Sequence, residues 1–203
     1  MVIGKKKFVI LCHGAFNYVK NKTGNMLIRY RPDEVVGIID NTKVGETAQT
    51  ELGYGGDIPV VENFDACISS GPDTLVIGSA SQGGFISDVF RTEIVKAIEF
   101  GCDIISGMHH FLNDDEEIRE LAKKHNVNLT DLRRPPDPPN FPKGSWKDRQ
   151  VPVLLIVGTD CDSGKMTTAW EVTKRLKDLS LIHISEPTRP ERIAYAGVGL
   201  KKK

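Results

Sequence analysis

Val153-Leu154-Leu155-Ile156-Val157-Gly158-Thr159-Asp160-Cys161-Asp162-Ser163-Gly164-Lys165-Met166-Thr167-Thr168 decides the fold class of the C-terminal part of the chain. A continuous apolar run reads as a buried strand. The glycine-bounded loop behind it lets the backbone curl so that several N–H groups face one anion, and the helix that follows adds its positive N-terminal end. Lys165 brings a full charge to the same place. Strand, loop, lysine and helix in that order describe a phosphate cradle. Its phosphate-binding residues are expected to be Gly158, Thr159, Asp160, Gly164, Lys165, Met166, Thr167 and Thr168.

The spacing is unusual. Five residues separate Gly158 from Gly164, one more than in the common phosphate loop, and Met166 stands where a magnesium-binding Ser or Thr follows the lysine. Thr167 or Thr168 can supply that hydroxyl from the next positions, and Thr167 is taken as the candidate metal contact. Asp162 places a negative charge inside the loop, and Asp160 can turn its carboxylate toward a metal or a substrate. A plain strand-to-helix turn with an exposed lysine is the competing reading of the same residues.

Upstream of this loop, short apolar runs alternate with helical segments. Strands are expected at 8–12, 35–40, 58–61, 75–78, 103–106 and 128–132, with helices toward Arg29, near 63–69, over 87–100 and over 114–125. Short continuous apolar runs in a βαβ rhythm suit a parallel sheet covered on both faces. The fold class is therefore α/β: a doubly wound, Rossmann-like domain over 1–134, then a P-loop NTPase-like α/β domain that begins within 151–178. In helix 87–100, Val89, Phe90, Ile94, Ala97 and Ile98 fall near helical spacing and are assigned to the core. Ser87 or Asp88 can cap its start, and Gly101 can take the left-handed position at its end. Between the domains, 135–150 holds five prolines in the eight residues from Pro135 to Pro142, and such a segment is a stiff connector.

Ligands of such sheets bind at the carboxyl ends of the strands. The loops there contain His13, Asp40, Gly83-Gly84 and His109-His110. Gly83 and Gly84 can expose N–H groups to an anion or serve as an ordinary turn. Asp40 ends the second strand, where dinucleotide folds place an acid on a ribose, yet no G-x-G-x-x-G follows the first strand, so nicotinamide binding is not inferred. These three are the candidate substrate-binding residues. His109 can provide a general base or cap the next helix, and is the candidate catalytic residue; His13 is the weaker of the two histidine candidates. Arg133 and Arg134 are expected to be a solvated pair, with a phosphate contact as the alternative.

Lys and Arg number 27 against 27 Asp and Glu. Residues 179–203 hold five of the basic and two of the acidic residues, which leaves 22 against 25 in 1–178. A balance this close to neutral gives no reason to expect a nucleic acid or an anionic membrane as partner. No run reaches the length of a membrane span, and the start of the chain lacks a secretory signal. The four cysteines, Cys12, Cys67, Cys102 and Cys161, show no metal-binding spacing. A cytoplasmic protein acting on a small molecule is expected, with homo-oligomer formation left open. Leu179-Ser180-Leu181-Ile182-His183-Ile184-Ser185-Glu186-Pro187-Thr188-Arg189 matches the in-frame translation of a transposase-type sequencing adapter, and Lys201-Lys202-Lys203 matches poly-A read-through. Residues 179–203 are therefore expected to be a non-native tail, and the chain as it stands is expected to be inactive.

The G-T-D-C-x-x-G-K-M-T-T block at 158–168, together with Asp73–Gly78, Gly83-Gly84, Asp103–His109 and Asp131–Pro136, resembles the DgcN-like (D-glutamate N-acetyltransferase-like) family over essentially all of 1–178. That family joins a Rossmann-like domain to a P-loop domain similar to dethiobiotin synthetase. The resemblance implies a D-amino-acid N-acetyltransferase with acetyl-CoA as donor, its phosphates held by the P-loop. Two alternatives keep the loop's more usual nucleotide: an ATP- and magnesium-dependent carboxylate ligase similar to dethiobiotin synthetase, and a nucleotide-binding regulator.

Overall fold

A computed structural model describes residues 6–79, 85–138, 154–160 and 163–179. The chain divides into two compact units, Met1–Asn140 and Phe141–Lys203. In the first unit six strands form one sheet: β1 (Phe8–Leu11), β2 (Val35–Ile39), β3 (Val60–Val61), β4 (Thr74–Ile77), β5 (Asp103–Ser106) and β6 (Leu129–Asp131). Their order is β3-β2-β1-β4-β5-β6, and every pairing is parallel. The sequence of connections runs outward from β1 in one direction through β3, then returns and runs the other way from β4. The β1/β4 boundary is thus the switch point, the place where sheets of this kind bind ligands.

Burial on both faces explains the continuous apolar runs. Val9 and Leu11 join Leu75, Ile77, Ile104 and the helices α3 (Asp88–Phe100) and α4 (Glu116–His125) in one layer. Phe8, Ile10 and Cys12 alternate into the other layer, against Phe16 and Ile28 of the α1 (Lys22–Tyr30) side and Ala48 and Leu52 of α2 (Ala48–Leu52). Each fully buried Ile, Leu or Phe contributes roughly 1.5–3 kcal/mol of burial free energy.

Helix α3 starts as its sequence implies, with the Ser87 hydroxyl accepting from the Phe90 N–H and Gly101 in the left-handed conformation at its end. One of its five expected core positions is corrected: Val89 is exposed, while Phe90, Ile94, Ala97 and Ile98 are buried. Glu93 occupies the buried stripe as well, because its carboxylate accepts the Phe64 N–H at 2.6 Å and caps the neighbouring 3-10 turn Phe64–Ser70. Arg91 ties α3 to α4 by forking onto Asp115 at 2.6 and 3.0 Å. Helix α2 was not expected. Its five residues are closed at the start by a reciprocal pair of bonds between Thr47 and Thr50 and at the end by Gly53 at φ +76°.

Helix α1 packs unusually close to the sheet. A Cβ on Gly24 would lie 2.5 Å from Asn21 Oδ1 and 2.6 Å from Ile10 Cγ2, and one on Gly78 would lie 2.1 Å from the same Asn21 oxygen. Asn21 is fully buried and donates to Asn25 Oδ1 at 3.0 Å. The two glycines supply space at these points, since neither needs a positive φ.

In the second unit, helix α5 (Lys165–Asp178) follows Gly164, whose φ of +79° only glycine adopts without strain. It begins at the lysine that closes the loop. The expected strand at 153–157 is also corrected: among the described residues 154–157 lie in no strand, and Leu154 and Val157 are exposed. A parallel strand is an assembly of ladder bonds, and no described segment pairs with this one.

Candidate functional site

The carboxyl edge of the sheet is built around two strand-terminal aspartates. Asp40, next after β2, is fully buried. Its Oδ1 accepts from the Gly14 and Thr42 N–H groups at 2.9 Å each and from the Thr42 hydroxyl at 2.7 Å, and its Oδ2 accepts from the Phe16 N–H at 2.8 Å. Burial pushes this carboxyl toward protonation, but the bonds from Thr42, Gly14 and Phe16 outweigh it and hold Asp40 below the ordinary carboxylate range. The carboxylate is thereby committed to folding the loop after β1. Asp131, at the end of β6, does the same for the loop after β5, accepting from the Leu112 N–H at 2.9 Å and the Asn113 N–H at 3.1 Å. Its role was not legible from spacing, because its partners lie 18 and 19 residues away.

The loop that Asp40 folds carries His13. The Asn41 N–H donates to His13 Nδ1 at 3.1 Å. A neutral imidazole that accepts on Nδ1 carries its proton on Nε2, so this ring presents an N–H. Nε2 is buried and has no hydrogen-bond partner among the described residues, and the ring meets Phe90 edge-on at 6.1 Å between centroids.

His109, the candidate catalytic residue, lies after β5. Arg133 Nη1 is 3.1 Å from its Nε2. A guanidinium only donates, so Nε2 is the acceptor and the proton sits on Nδ1. His109 in this arrangement also offers an N–H rather than a lone pair. Arg133 additionally donates to the Gly107 carbonyl. Among the described residues Arg133 meets neutral groups and no carboxylate, leaving its charge uncompensated at the edge. Both arginines are exposed, as expected of a solvated pair, and Arg134 pairs with Asp114 and sits 4.7 Å above the Phe111 ring. His110 tilts against Phe85 at 6.4 Å. Gly83 and Gly84 lie outside the described residues.

In the second unit the phosphate loop folds on itself. Lys165 Nζ donates to the Asp160 carbonyl and, at 3.1 Å, to Ser163 Oγ, which in turn donates to the same carbonyl at 3.0 Å. A Cβ on Gly158 would sit 2.4 Å from Ser163 Oγ and 2.9 Å from Lys165 Cγ. Glycine therefore lets the backbone pass beneath the lysine. No side chain caps α5, and its first turn contains no acid. A helix start without a side-chain cap among the described residues, and an ammonium held by a carbonyl and a hydroxyl, fit an incoming phosphate, which would replace them as acceptor. The fit to magnesium is poorer: Met166 is 76% exposed and offers a thioether, a weak ligand for a hard cation, so a hydroxyl would have to come from Thr167 or Thr168.

The three described cysteines are protonated packing residues. Burial raises Cys67 and Cys102 to about 12, with nearby carboxylates adding to it, and burial followed by the Asp40 charge raises Cys12 well above its ordinary value. None is a ready thiolate nucleophile. No helix of the described residues is long and apolar enough to cross a membrane.

Residues 41–135 match a family model described as a domain of unknown function, DUF1611_N, a Rossmann-like domain. Residues 140–186 match its companion, the DUF1611 C-terminal P-loop domain. The chain is 39% identical over 111 residues to a D-glutamate N-acetyltransferase of a Pseudoalteromonas species, covering 55% of this chain and 33% of that protein. It is 34% identical over 172 residues to a D-glutamate N-acetyltransferase of Tritonibacter scottomollicae, covering 84% of this chain and 48% of the relative. The crystal structure of a DUF1611 family protein from Anabaena variabilis superposes with a TM-score of 0.73 at 29% identity, over 86% of this chain and 50% of that one. The chain thus spans half or less of the length of each of these relatives.

Proposed function

This chain belongs to the DUF1611 family, and we propose that it supplies the amino-acid site and the donor-binding loop of an N-acetyltransferase acting on D-glutamate or a similar acidic D-amino acid. What supports the reading is the glycine-bounded loop with Lys165 at the uncapped start of α5, taken with two relatives that bear the name of that reaction. Acetyl-CoA has a pyrophosphate and a further phosphate. A loop of this kind can hold them without hydrolysing anything, with Lys165 and the start of α5 neutralising charge. In the reaction the amine nitrogen attacks the thioester carbonyl, the C–S bond breaks, and the departing thiolate takes up the proton the nitrogen loses.

On the first domain, Arg133, His109 and His13 present donors at the carboxyl edge of the sheet, a set suited to an acceptor that carries carboxylates. His109 as arranged fits a donor to a carboxylate or a developing oxyanion; action as a base would require Arg133 to leave Nε2. The test is free-thiol release from acetyl-CoA, run beside phosphate release from ATP and magnesium, with a full-length protein that carries this chain. Thiol release that needs both D-glutamate and Lys165 supports the transferase. Phosphate release without thiol replaces it with an ATP-dependent ligase.

A further inference from the structure

His13 stands at the switch point itself, directly behind β1, and its two ring nitrogens are in different situations. Nδ1 is fixed as an acceptor by the Asn41 N–H, and Asn41 is set beside it by β2, which pairs in register with β1. The loop between them cannot drift, because Asp40 holds Gly14 and Phe16 by their N–H groups. Nε2–H is therefore a donor of fixed tautomer and fixed position, and it has no acceptor among the described residues. A buried donor left unmatched is destabilising, and such groups are rare unless a function retains them.

We propose that His13 Nε2–H is a ligand-binding donor at the switch point, where it receives a carboxylate oxygen of the acidic acceptor. This rests on the acidic-acceptor reading above and adds the residue that recognises the acid. The donor arrives aligned, so binding recovers a hydrogen bond the free protein lacks and spends no freedom of the histidine on orientation. Nε2 is screened from solvent, so ligand entry includes a turn of the Phe90 ring, which His13 meets edge-on. The same geometry argues against His13 as a general base, since the lone pair lies on the nitrogen that faces Asn41. The ordinary alternative is a structural role in which the N–H points at the Phe90 ring face.

The test uses 1H–15N spectra of the imidazole nitrogens in the 203-residue chain, titrated with D-glutamate and with glutarate, which keeps the carboxylates and lacks the amine. Two variants separate binding from folding. His13→Asn keeps an acceptor for the Asn41 N–H and removes the far donor; His13→Gln keeps a donor at the far position. The expected result is a protonated Nε2 whose resonance moves saturably with both compounds. His13→Asn weakens binding by about tenfold or more, the loss of one hydrogen bond to a charged group, and His13→Gln restores part of it, while the unfolding midpoint of His13→Asn stays near that of the parent. The proposal is overturned by no saturable movement with either compound, by equal affinity in His13→Asn, or by a lowered midpoint with affinity intact. Thiol release by the full-length protein decides the transferase reading separately. Release with a silent His13 removes this site and leaves the reaction; a responsive His13 without release does the opposite.

Discussion

Replacing Asp40 by Asn exchanges one oxygen for an NH2 group and removes one charge, and the structure sets the cost. Asp40 accepts three bonds on Oδ1 and one on Oδ2. An amide in the same place keeps its oxygen toward Gly14 and Thr42, but its NH2 then confronts the Phe16 N–H, donor against donor. One buried backbone donor loses its acceptor, and the remaining bonds lose their charge assistance. Together these cost about 3 kcal/mol, or roughly 6–12 °C in the midpoint for a chain of this size. The pH dependence gives a second, independent reading. The carboxyl of Asp40 is held lower in the folded chain than in the unfolded one, so its contribution is complete above the unfolded value and fades as pH falls through the folded value. The difference between parent and Asp40→Asn should therefore be constant from about pH 6 to 8 and shrink below about pH 4. Urea unfolding at pH 7, 5 and 3.5 measures both. A loss below about 0.5 kcal/mol, the range of ordinary surface substitutions, or a difference that does not change with pH, would refute the claim that this carboxylate folds the β1 loop.

Gly78→Ala should destabilise the first unit by about 1–3 kcal/mol, because the new methyl lands 2.1 Å from a fully buried Asn21 oxygen; in the Asn21→Ala background the penalty should shrink, and a double-mutant cycle with no coupling would contradict the close approach of α1. Gly158→Ala should displace Lys165, whose Cγ would lie 2.9 Å from the added carbon, and weaken pyrophosphate binding by about tenfold in titration calorimetry with little change in midpoint. Cys12, Cys67 and Cys102 should resist iodoacetamide in the native chain at pH 8 and react on unfolding, since burial raises all three thiols; rapid native alkylation of any of them, located by mass spectrometry, would count against that burial.

Helix α3 shows how much could be read in advance. Its start, its end and four of its five assigned core positions follow from Ser87, Gly101 and a repeat near 3.6, all signals local to thirteen residues. Helix α2 carries its signal in a Thr47–Thr50 pair too short to show periodicity over five residues. The run before the phosphate loop has the composition of a strand, yet a strand exists only with its neighbours, and composition cannot supply them. At the site, the glycines and Lys165 announce themselves by spacing. The tautomers of His13 and His109 do not, because they depend on the Asn41 N–H and the Arg133 guanidinium, which reach them from 28 and 24 residues away. Asp40 was noticed for its place at a strand end, where it could have met a ribose; the loop it holds instead is visible once β1 and β2 lie side by side.

The account stands most directly on the product formed when a full-length protein carrying this chain is given acetyl-CoA and D-glutamate, identified by mass spectrometry. The expected product is glutamate enlarged by one acetyl group on nitrogen, formed with one free thiol per turnover and abolished by Lys165→Ala. Unchanged glutamate with intact acetyl-CoA, or an acetylated product formed equally well without Lys165, would contradict it.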